Sequence, residues 1–592
     1  MPSLLTASLR LSEWAHQARF ERAARDPARA QAAVLRALAC RNRDTVFGRE
    51  HGFAGIAGPR DYARRVPIRD YEAFRPYVAR LLAGETEVLT AEPPVMFAMT
   101  SGTTGEPKLI PVTASWRAET ASLMRLWLVR ALADHPTLFA GKMLTVVSPA
   151  VEGTAATGIP YGAMSGVVAR DLPWLARRHH AVPYAASLIR DPDARYFVTM
   201  RLALAHSISA VGTPNPTTLI RLAETAAARA EAMVRAVHDG TLGIPDPPMV
   251  EDSAYGGARA LAAIRAALHP DPARARALAG IAEQEGSLAP RAAWPALALI
   301  GCWLGGNAGV HARHLSEHYG DVPLRDLGLV ASEGRMTVPL EDGSPAGVLA
   351  VHASFFEFVP EDRIEEPAPP VCLAHELVEG RRYYVVLTGG NGLYRYDLND
   401  IVEVHGFYHR TPVVAFVRKG RDMVSITGEK LHLNQIQAAV REAEDETKIV
   451  VWQFRLIPEV DACRYDLLVE ARDARVDDRV AVAFLRAFDA ALSRLNIEYA
   501  AKRASRRLGP PCLSLMRSGW AERQCRADFV RGKREAQHKW PALALAWDPA
   551  SRAEVLRNLN AVDEPAGTRG LTGRRASPCR EAGEPSRPRA CR

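Results

Sequence analysis

Apolar residues recur at helical spacing in two stretches near the start of the chain. In residues 1–45, Val34, Leu35 and Leu38 follow this spacing and predict a helical segment. Between Asp61 and Gly84, one helical face carries four apolar side chains, Tyr71, Phe74, Val78 and Leu81. Gly84 is expected to end this second helix. For this apolar face we expect packing against a core.

Further along, short apolar runs predict strands and longer periodic stretches predict helices. The expected strands are 144–147, 297–304, 355–360, 383–387, 449–457 and 464–470. The expected helices are 115–132, 196–212, 217–238, 257–289 and 477–495. The turn 212–216 between two of these helices has two open interpretations, the lining of a substrate pocket or a simple helix break.

One uncharged stretch, residues 292–310, approaches the length that spans a membrane. Pro295 and several glycines interrupt it, so we interpret it as a buried strand followed by a glycine-rich loop. The N-terminus lacks the basic start and apolar centre of a signal peptide. Eight cysteines are dispersed with no Cys-x-x-Cys pair, which is typical of a reducing cytoplasm. We therefore expect a cytoplasmic protein without a membrane partner.

The composition places the chain among large globular proteins. Its 592 residues are too many for one ordinary core and predict at least two domains. The net charge of +8 is modest for this length and suits anionic small molecules. No dense basic run with interleaved aromatic residues is present, so nucleic-acid binding is disfavoured. From about residue 561 the chain is rich in Pro, Gly, Ser and Arg, which predicts disorder.

The strongest chemical signal is the segment 99–111, Met-Thr-Ser-Gly-Thr-Thr-Gly-Glu-Pro-Lys-Leu-Ile-Pro. Its glycines allow a tight turn, and successive backbone N–H groups in such a turn bind anions. Several groups add donors or positive charge, namely Thr100, Ser101, Thr103, Thr104 and Lys108, with Gly102 and Gly105 between them. Because a helix is predicted directly after the loop, its N-terminus would add positive potential. We expect this loop to bind a polyphosphate.

The loop differs from the phosphate-binding loop of kinases and GTPases. That motif has Gly before the Lys and Ser or Thr after it. Here Pro107 precedes Lys108 and Leu109 follows. The segment instead resembles the phosphate loop of adenylate-forming enzymes, Thr-Ser-Gly-Thr-Thr-Gly-x-Pro-Lys. Its continuation into Leu-Ile-Pro is similar to the Gretchen Hagen (auxin-responsive promoter) family of acyl acid amido synthetases within that superfamily.

Four further segments carry the same resemblance. Ser332-Glu333 is similar to the sequence whose Glu holds Mg²⁺ beside the phosphates, which implies Glu333 as metal ligand and Ser332 as an ATP contact. Residues 392–404 resemble the family stretch whose last Asp binds ribose, here Asp400, with Asn399 where Gly is usual. Residues 416–433 resemble the hinge motif and imply Arg421 and Lys430 as contacts. Gln537-His538-Lys539 resembles a C-terminal signature whose Lys, here Lys539, reaches the active site.

The resemblance implies an α/β fold with a large N-terminal adenylate-forming domain, in which helices flank β-sheets, and a smaller mobile C-terminal α/β domain. We expect these domains at 1–415 and 416–558, a disordered tail at 559–592, and a hinge near 415–421 in which Gly420 absorbs the motion.

The implied function is an ATP- and Mg²⁺-dependent acid–amino acid ligase. It would join a carboxylic acid to an amine through an acyl-adenylate, with Lys108, Lys430 and Lys539 as catalytic residues. An acyl-CoA ligase using the same first step is the alternative. A second alternative is a non-catalytic scaffold that binds nucleotides or nucleic acid. No obligate protein partner can be predicted.

Overall fold

The computed structural model describes most of the chain, namely residues 4–100, 108–250, 256–364, 366, 368–420, 423–424, 426, 429, 431–459, 462–473, 475–504, 508–530, 540–544 and 546–560. The predicted α/β class is confirmed, because helices and several sheets alternate along these residues. None of the helices in these ranges combines the length and the hydropathy that crossing a bilayer requires.

Five helices precede the first strand: α1 (Leu4–Arg25), α2 (Pro27–Arg41), α3 (Val46–Glu50), α4 (Pro59–Arg65) and α5 (Tyr71–Leu82). Asp70 caps α5, because its side chain accepts a hydrogen bond from the N–H of Ala73. The predicted apolar face of α5 is buried, as expected. Gly84 follows the helix in a left-handed conformation with φ of 95°.

The remaining helices are α6 (Ala114–Asp134), α7 (Met164–Arg170), α8 (Trp174–Arg177), α9 (Pro192–Leu204), α10 (Pro216–Ala228), α11 (Ala230–Asp239), α12 (Gly257–Ala266), α13 (Pro272–Glu285), α14 (Pro290–Ala293), α15 (Gly306–Ala312), α16 (Leu315–Tyr319), α17 (Leu433–Thr447), α18 (Asp478–Leu495), α19 (Ile497–Ala504), α20 (Trp520–Val530) and α21 (Pro549–Ala553). Short 3₁₀ turns lie at Phe53–Gly55, Tyr184–Leu188, Glu361–Arg363 and Ala374–Glu376.

The strands up to the central sheet are β1 (Pro94–Thr100), β2 (Lys108–Thr113), β3 (Lys142–Thr145), β4 (Gly153–Thr154), β5 (Pro160–Gly162), β6 (Ile208–Gly212), β7 (Leu299–Gly301), β8 (Leu324–Arg325), β9 (Val330–Ala331), β10 (Gly334–Arg335), β11 (Thr337–Val338) and β12 (Ala346–Leu349). They are followed by β13 (Phe355–Pro360), β14 (Cys372–Leu373), β15 (Arg382–Thr388), β16 (Tyr396–Tyr408), β17 (Thr411–Lys419), β18 (Met423–Val424), β19 (Leu431–His432), β20 (Val451–Glu459), β21 (Arg464–Ala471), β22 (Cys512–Met516) and β23 (Val555–Asn560).

A parallel four-stranded sheet has the order β3-β6-β7-β8 and shares a core with α9 to α11 and α13 to α16. The prediction of helix through residue 212 was wrong, because α9 ends at Leu204 and residues 208–212 form β6. Strand β6, with its buried Ile208 and Val211, pairs with β3 on one side and β7 on the other. This pairing overrides the apolar pattern that predicted a helix. The turn 212–216 therefore joins a strand to a helix, and Asn215 caps α10.

A seven-stranded antiparallel sheet forms the centre, in the order β11-β12-β17-β16-β15-β13-β14. The predicted strands at 355–360 and 383–387 are confirmed as β13 and β15. One face of this sheet packs on the N-terminal helices through a core that includes Phe47, Phe74, Phe355 and Tyr396. The same core includes Phe97 and Ile110 from a second sheet, ordered β2-β1-β5-β4. Helices α1 to α5 thus support both sheets.

The C-terminal part has a sheet of its own, ordered β20-β21-β22-β23, which packs on α17 and α18. The buried residues of its core all come from the chain after residue 423. A domain that begins near residue 416 would have such a core of its own. The predicted domain division stays a prediction. One boundary needs correction. Leu559 and Asn560, the first residues of the predicted tail, are in β23 and pair with Leu513 and Cys512.

Polar contacts join this C-terminal part to the helices around the parallel sheet. Arg221 of α10 forms an ion pair with Glu522 of α20. Arg526 Nη2 lies 2.7 Å from Asp193 Oδ2, at the start of α9. Arg472 at the end of β21 pairs with Glu317 of α16 at 2.5 Å. These contacts hold the two parts in the arrangement that the structure shows.

Candidate active site

The predicted phosphate loop connects two antiparallel strands. Thr100 at the end of β1 pairs with Lys108 at the start of β2. The structure thus describes the backbone at Thr100 and the whole of Lys108. Ser101, Gly102, Thr103, Thr104 and Gly105 lie outside the described residues. The loop is therefore the connection of a hairpin whose two ends are held in register.

This hairpin corrects the predicted order of strand, loop and helix. The segment after the loop forms the six-residue strand β2, and α6 begins only at Ala114 with Thr113 as its cap. Six strand residues span roughly 20 Å. The potential of a helix N-terminus acts mainly within its first turn. The positive potential of α6 is thus remote from the loop, and Lys108 is the nearest described source of positive charge along the chain.

Ser332 and Glu333 form the two-residue turn of the small hairpin β9–β10. Glu333 is not at the end of a strand of a larger sheet, because the chain reverses there and pairs Gly334 with Ala331. Both turn residues are half-buried. The Glu333 carboxylate is therefore carried by a hairpin turn and not by the end of a longer strand.

Two buried side chains hold Glu333 in place. The hydroxyl of Tyr396 donates a hydrogen bond to Glu333 Oε1 at 3.2 Å. Asn391 Nδ2 donates to the carbonyl oxygen of Glu333, also at 3.2 Å. Burial, together with the charge of Glu333, raises the pKa of Tyr396, so this phenol keeps its proton. The carboxylate is therefore fixed through both its side chain and its main chain.

Tyr71, the first residue of α5, contacts the hairpin that carries Lys108. Lys108 Nζ is 5.6 Å from the centre of its ring, within the range of a cation–π contact. Its hydroxyl accepts a hydrogen bond from the N–H of Leu109 at 2.8 Å and donates one to the carbonyl of Leu109 at 3.2 Å. Burial raises the pKa of Tyr71, and the charge of Glu333 adds to this. Lys108 thus contacts the ring of Tyr71, and Glu333 is near enough for its charge to affect the Tyr71 hydroxyl.

Asp400 lies on β16, four residues after Tyr396, and is buried. The preceding Asn399 has φ of 53°, and its N–H is bound by the Asp397 carboxylate at 2.7 Å. A left-handed conformation favours glycine but is tolerated by asparagine. The departure noted in the sequence, Asn399 where Gly is usual, therefore keeps the backbone shape that sets the position of Asp400.

The other predicted contacts, Arg421, Lys430 and Lys539, lie outside the described residues. Their roles stay predictions. Next to the first of them, Gly420 is in close contact with Tyr384, since a Cβ built at Gly420 would lie 2.1 Å from Tyr384 Cε1. Glycine is required here by close approach in this arrangement.

The described groups suit a nucleotide with its magnesium ion. Magnesium usually takes one or two carboxylates, with phosphate oxygens and water as its other ligands. Glu333 supplies one half-buried carboxylate, and no cluster of three metal-binding side chains occurs among the residues described. Asn391 Oδ1 is buried and has no hydrogen-bond partner among the described residues. The donor set therefore fits a metal bound largely through phosphates.

Comparison with known protein families decides the relationship. Residues 16–324 match the GH3 family N-terminal domain, 347–419 the GH3 family central domain and 434–546 the GH3 family C-terminal domain. The chain belongs to the GH3 family. GH3 is the short name of the Gretchen Hagen family, so the resemblance carried by the five motifs is confirmed.

Individual relatives are distant but cover most of the chain. An indole-3-acetic acid-amido synthetase of Arabidopsis thaliana is 22% identical over 86% of this chain and 88% of its own. A jasmonoyl-L-amino acid synthetase of Oryza sativa subsp. japonica is 25% identical over 84% and 89%. A solved structure of GH3.15 acyl acid amido synthetase superposes with a TM-score of 0.80 at 20% identity, covering 92% and 97%. The fold class is confirmed, as is the reaction class at the level of the family.

Sequence reasoning missed the residues that support the site. Tyr71 was assigned to packing, and Tyr396 and Asn391 had no assigned role, although Tyr396 lies within a recognised motif. A useful signal was available for Tyr71, because a buried tyrosine hydroxyl requires a polar partner. Nothing in the sequence indicated that its partner is the backbone of Leu109, 38 residues away.

Proposed function

We propose that this chain is an ATP-dependent acyl acid amido synthetase. In the first step, a carboxylate oxygen of the acid attacks the α-phosphate of ATP, which forms an acyl-adenylate and releases pyrophosphate. In the second step, an amine, which we take to be that of an amino acid, attacks the acyl carbon. The new C–N bond displaces AMP, and the amine loses a proton. The supporting observation is that Lys108 contacts Tyr71 and Glu333 accepts a hydrogen bond from Tyr396, two tyrosines of one buried core in a GH3 family chain.

The described residues suggest a division of roles. Lys108 and the loop 100–105 would bind the phosphates, Glu333 would hold Mg²⁺, Ser332 would contact ATP, and Asp400 would accept hydrogen bonds from the ribose. A bound Mg²⁺ neutralises phosphate charge when ATP is present. Preorganised cations and donors of this kind stabilise charge that develops in the transition state. We assign Arg421 to ribose or phosphate contacts, and Lys430 and Lys539 to catalysis, from the family resemblance alone.

The substrate class follows from the relatives only in outline. One is named as an indole-3-acetic acid-amido synthetase and another as a jasmonoyl-L-amino acid synthetase, so their named acyl groups differ. We infer a small carboxylic acid as the acyl donor and an amino acid as the acceptor, without naming either. From the dispersed cysteines we also infer a cytoplasmic location.

The reaction is tested by identifying its products. The purified chain is incubated with ATP, MgCl₂ and a panel of carboxylic acids, with either mixed amino acids or coenzyme A as acceptor. Mass spectrometry and nucleotide chromatography then follow the products. We expect an N-acyl amino acid together with AMP, formed roughly two to three orders of magnitude more slowly by the Glu333→Ala variant. A thioester formed in place of the amide would identify an acyl-CoA ligase, and release of ADP in place of AMP would contradict adenylation.

A further inference from the structure

Tyr71 binds the edge of the sheet that carries the phosphate loop. Strand β2 is the first strand of its four-stranded sheet, and on its outer side no further strand pairs with it among the described residues. The Tyr71 hydroxyl takes both backbone groups of Leu109, the N–H at 2.8 Å and the carbonyl at 3.2 Å. Leu109 directly follows Lys108. One buried phenol therefore fixes the strand at the point where it leaves the loop.

The ring of the same tyrosine limits where Lys108 can lie. The distance from Lys108 Nζ to the ring centre is 5.6 Å. Tyr71 is only 3% exposed, so its ring is fixed by the core and its face is a stable surface for the ammonium group. Backbone and side chain at residues 108–109 are thus held by one residue of α5.

Helix α5 also packs near the β9–β10 hairpin, which carries Glu333. Phe74 lies one turn after Tyr71 on the same face, and its ring centre is 5.9 Å from that of Tyr396. Tyr396 in turn donates its hydrogen bond to Glu333 Oε1. Phe74 and Tyr396 are both buried, at 0% and 1% exposure. Tyr71, Phe74 and Tyr396 thus belong to one buried core that contacts both the Lys108 hairpin and the Glu333 hairpin.

We infer that Tyr71 and Tyr396 are positioning residues that set the distance between the phosphate-binding Lys108 and the metal-binding Glu333. Tyr71 acts on the phosphate side, through the backbone of Leu109. Tyr396 acts on the metal side, through the carboxylate. This inference rests on the proposed function, because it takes ATP and Mg²⁺ as the ligands of those two residues. It adds two residues that the sequence did not assign to the site, Tyr71 for the phosphates and Tyr396 for the metal ion.

The test uses calorimetric titration of ATP into the full chain, without acid or amine, once with excess Mg²⁺ and once with EDTA. Tyr71→Phe keeps the ring and removes the hydroxyl. We expect it to weaken ATP binding by roughly three- to tenfold under both conditions, the effect of losing buried hydrogen bonds. Tyr396→Phe is expected to weaken binding by a similar factor with Mg²⁺ and to leave binding in EDTA unchanged.

Tyr77→Phe is the matched control. Tyr77 is on the same helix, and its hydroxyl bonds to Glu50 at 2.5 Å, away from both hairpins. We expect this variant to bind ATP like the wild type under both conditions. A double variant, Tyr396→Phe with Glu333→Gln, should bind no more weakly than Glu333→Gln alone, because Tyr396 acts through that carboxylate.

The outcomes separate this inference from the proposed function. If the wild type binds no ATP, the proposed function fails. If the wild type binds ATP, the positioning role is refuted when Tyr71→Phe binds like Tyr77→Phe, or when Tyr396→Phe either binds like Tyr77→Phe or loses the same factor with and without Mg²⁺. Should Tyr71→Phe fail to fold in a thermal melt, the magnesium-selective loss in Tyr396→Phe decides the question alone.

Discussion

Arg395 and Glu357 form an ion pair in the interior of the central sheet, with 2.8 Å between Arg395 Nε and Glu357 Oε2. Both side chains are at most 5% exposed. The same guanidinium donates to the carbonyls of Ala63 and Val66 at the end of α4. Burial raises the pKa of Glu357, and the neighbouring Arg395 opposes that rise. Arg395 thus connects the end of α4, which precedes α5, to strand β16, which carries Tyr396 and Asp400.

Removing one partner of this pair should be costly. We expect Arg395→Met to lower the free energy of unfolding by about 3–5 kcal/mol, because it leaves a buried carboxylate without its cation. Urea unfolding measures this value. The control is Arg382→Met on the adjacent strand β15, whose pair with Glu403 is partly exposed at 39% and 29%. That variant should lose less than about 1 kcal/mol. Equal losses in the two variants would show that burial of the pair does not matter.

The end of the ordered chain can be located by truncation. Strand β23 pairs with β22, and the sequence predicts disorder beyond it. A chain that ends at Asn560 should therefore melt within about 1 °C of the full protein. A chain that ends at Glu554 lacks β23 and exposes the edge of β22, so we expect its melting temperature to fall by several degrees. A large loss in the longer truncate would show that residues 561–592 contribute to the fold.

Three histidines, the buried His352 and the partly buried His180 and His311, predict a loss of stability in acid. Burial lowers the pKa of His180 and of His311 to about 4 and that of His352 to about 3. In the unfolded chain the imidazole pKa is about 6.5, so below that pH the unfolded state binds more protons than the folded state. Stability is thus complete above pH 6.5 and falls as the pH drops towards 4. Each histidine contributes up to about 1.4 kcal/mol per pH unit.

Thermal melts between pH 7.5 and 4.5 measure this dependence. The His352→Asn variant should lose less stability across that range than the wild type, even if it is less stable at pH 7.5, because one of the three groups can no longer take up a proton. A melting temperature that stays constant from pH 6.5 to 4.5 would contradict the burial of neutral imidazoles.

The contact between α10 and α20 offers a probe of domain motion. Gly420, the predicted hinge residue, is a poor choice because any side chain there would strike Tyr384. Glu522→Gln instead weakens the ion pair with Arg221 at the surface. If the C-terminal part moves between the two half-reactions, we expect the ratio of amide formation to pyrophosphate exchange to change by roughly two- to fivefold, the range of a surface ion pair.

The control for this experiment is Glu231→Gln, which removes an exposed ion pair with Arg235 inside one helix. It should leave the ratio of the two rates unaltered. A ratio in Glu522→Gln that equals that of the wild type would favour a single fixed arrangement over domain alternation.

Part of this site could be predicted because its chemistry depends on residue types in a local order. The loop 100–108 and Asp400 were recognisable from short motifs that need no knowledge of the fold. The strand β2 was not, since the short run Leu-Ile-Pro-Val-Thr does not by itself identify a strand, and pairing with β1 decided the outcome. The β6 strand was misassigned to a helix because its partners β3 and β7 lie far from it along the chain.

The supporting residues illustrate a second limit. Tyr71 was placed correctly on the buried face of its helix, yet periodicity reports only that a side chain is buried and not what its hydroxyl contacts. Asn399 shows the reverse case. Asn399 stands where the family pattern has Gly. Its positive φ shows that it keeps the left-handed backbone conformation that Gly favours.

The central claim is that Lys108 and Glu333 form the adenylating site of this GH3 enzyme. It is tested most directly by acid-dependent exchange of labelled pyrophosphate into ATP, with wild type, Lys108→Ala and Glu333→Ala compared at equal folded concentration. We expect each variant to lose roughly two to three orders of magnitude in exchange rate, the typical effect of removing one preorganised charge or donor. Exchange within about a factor of two of the wild type in either folded variant would contradict the assignment.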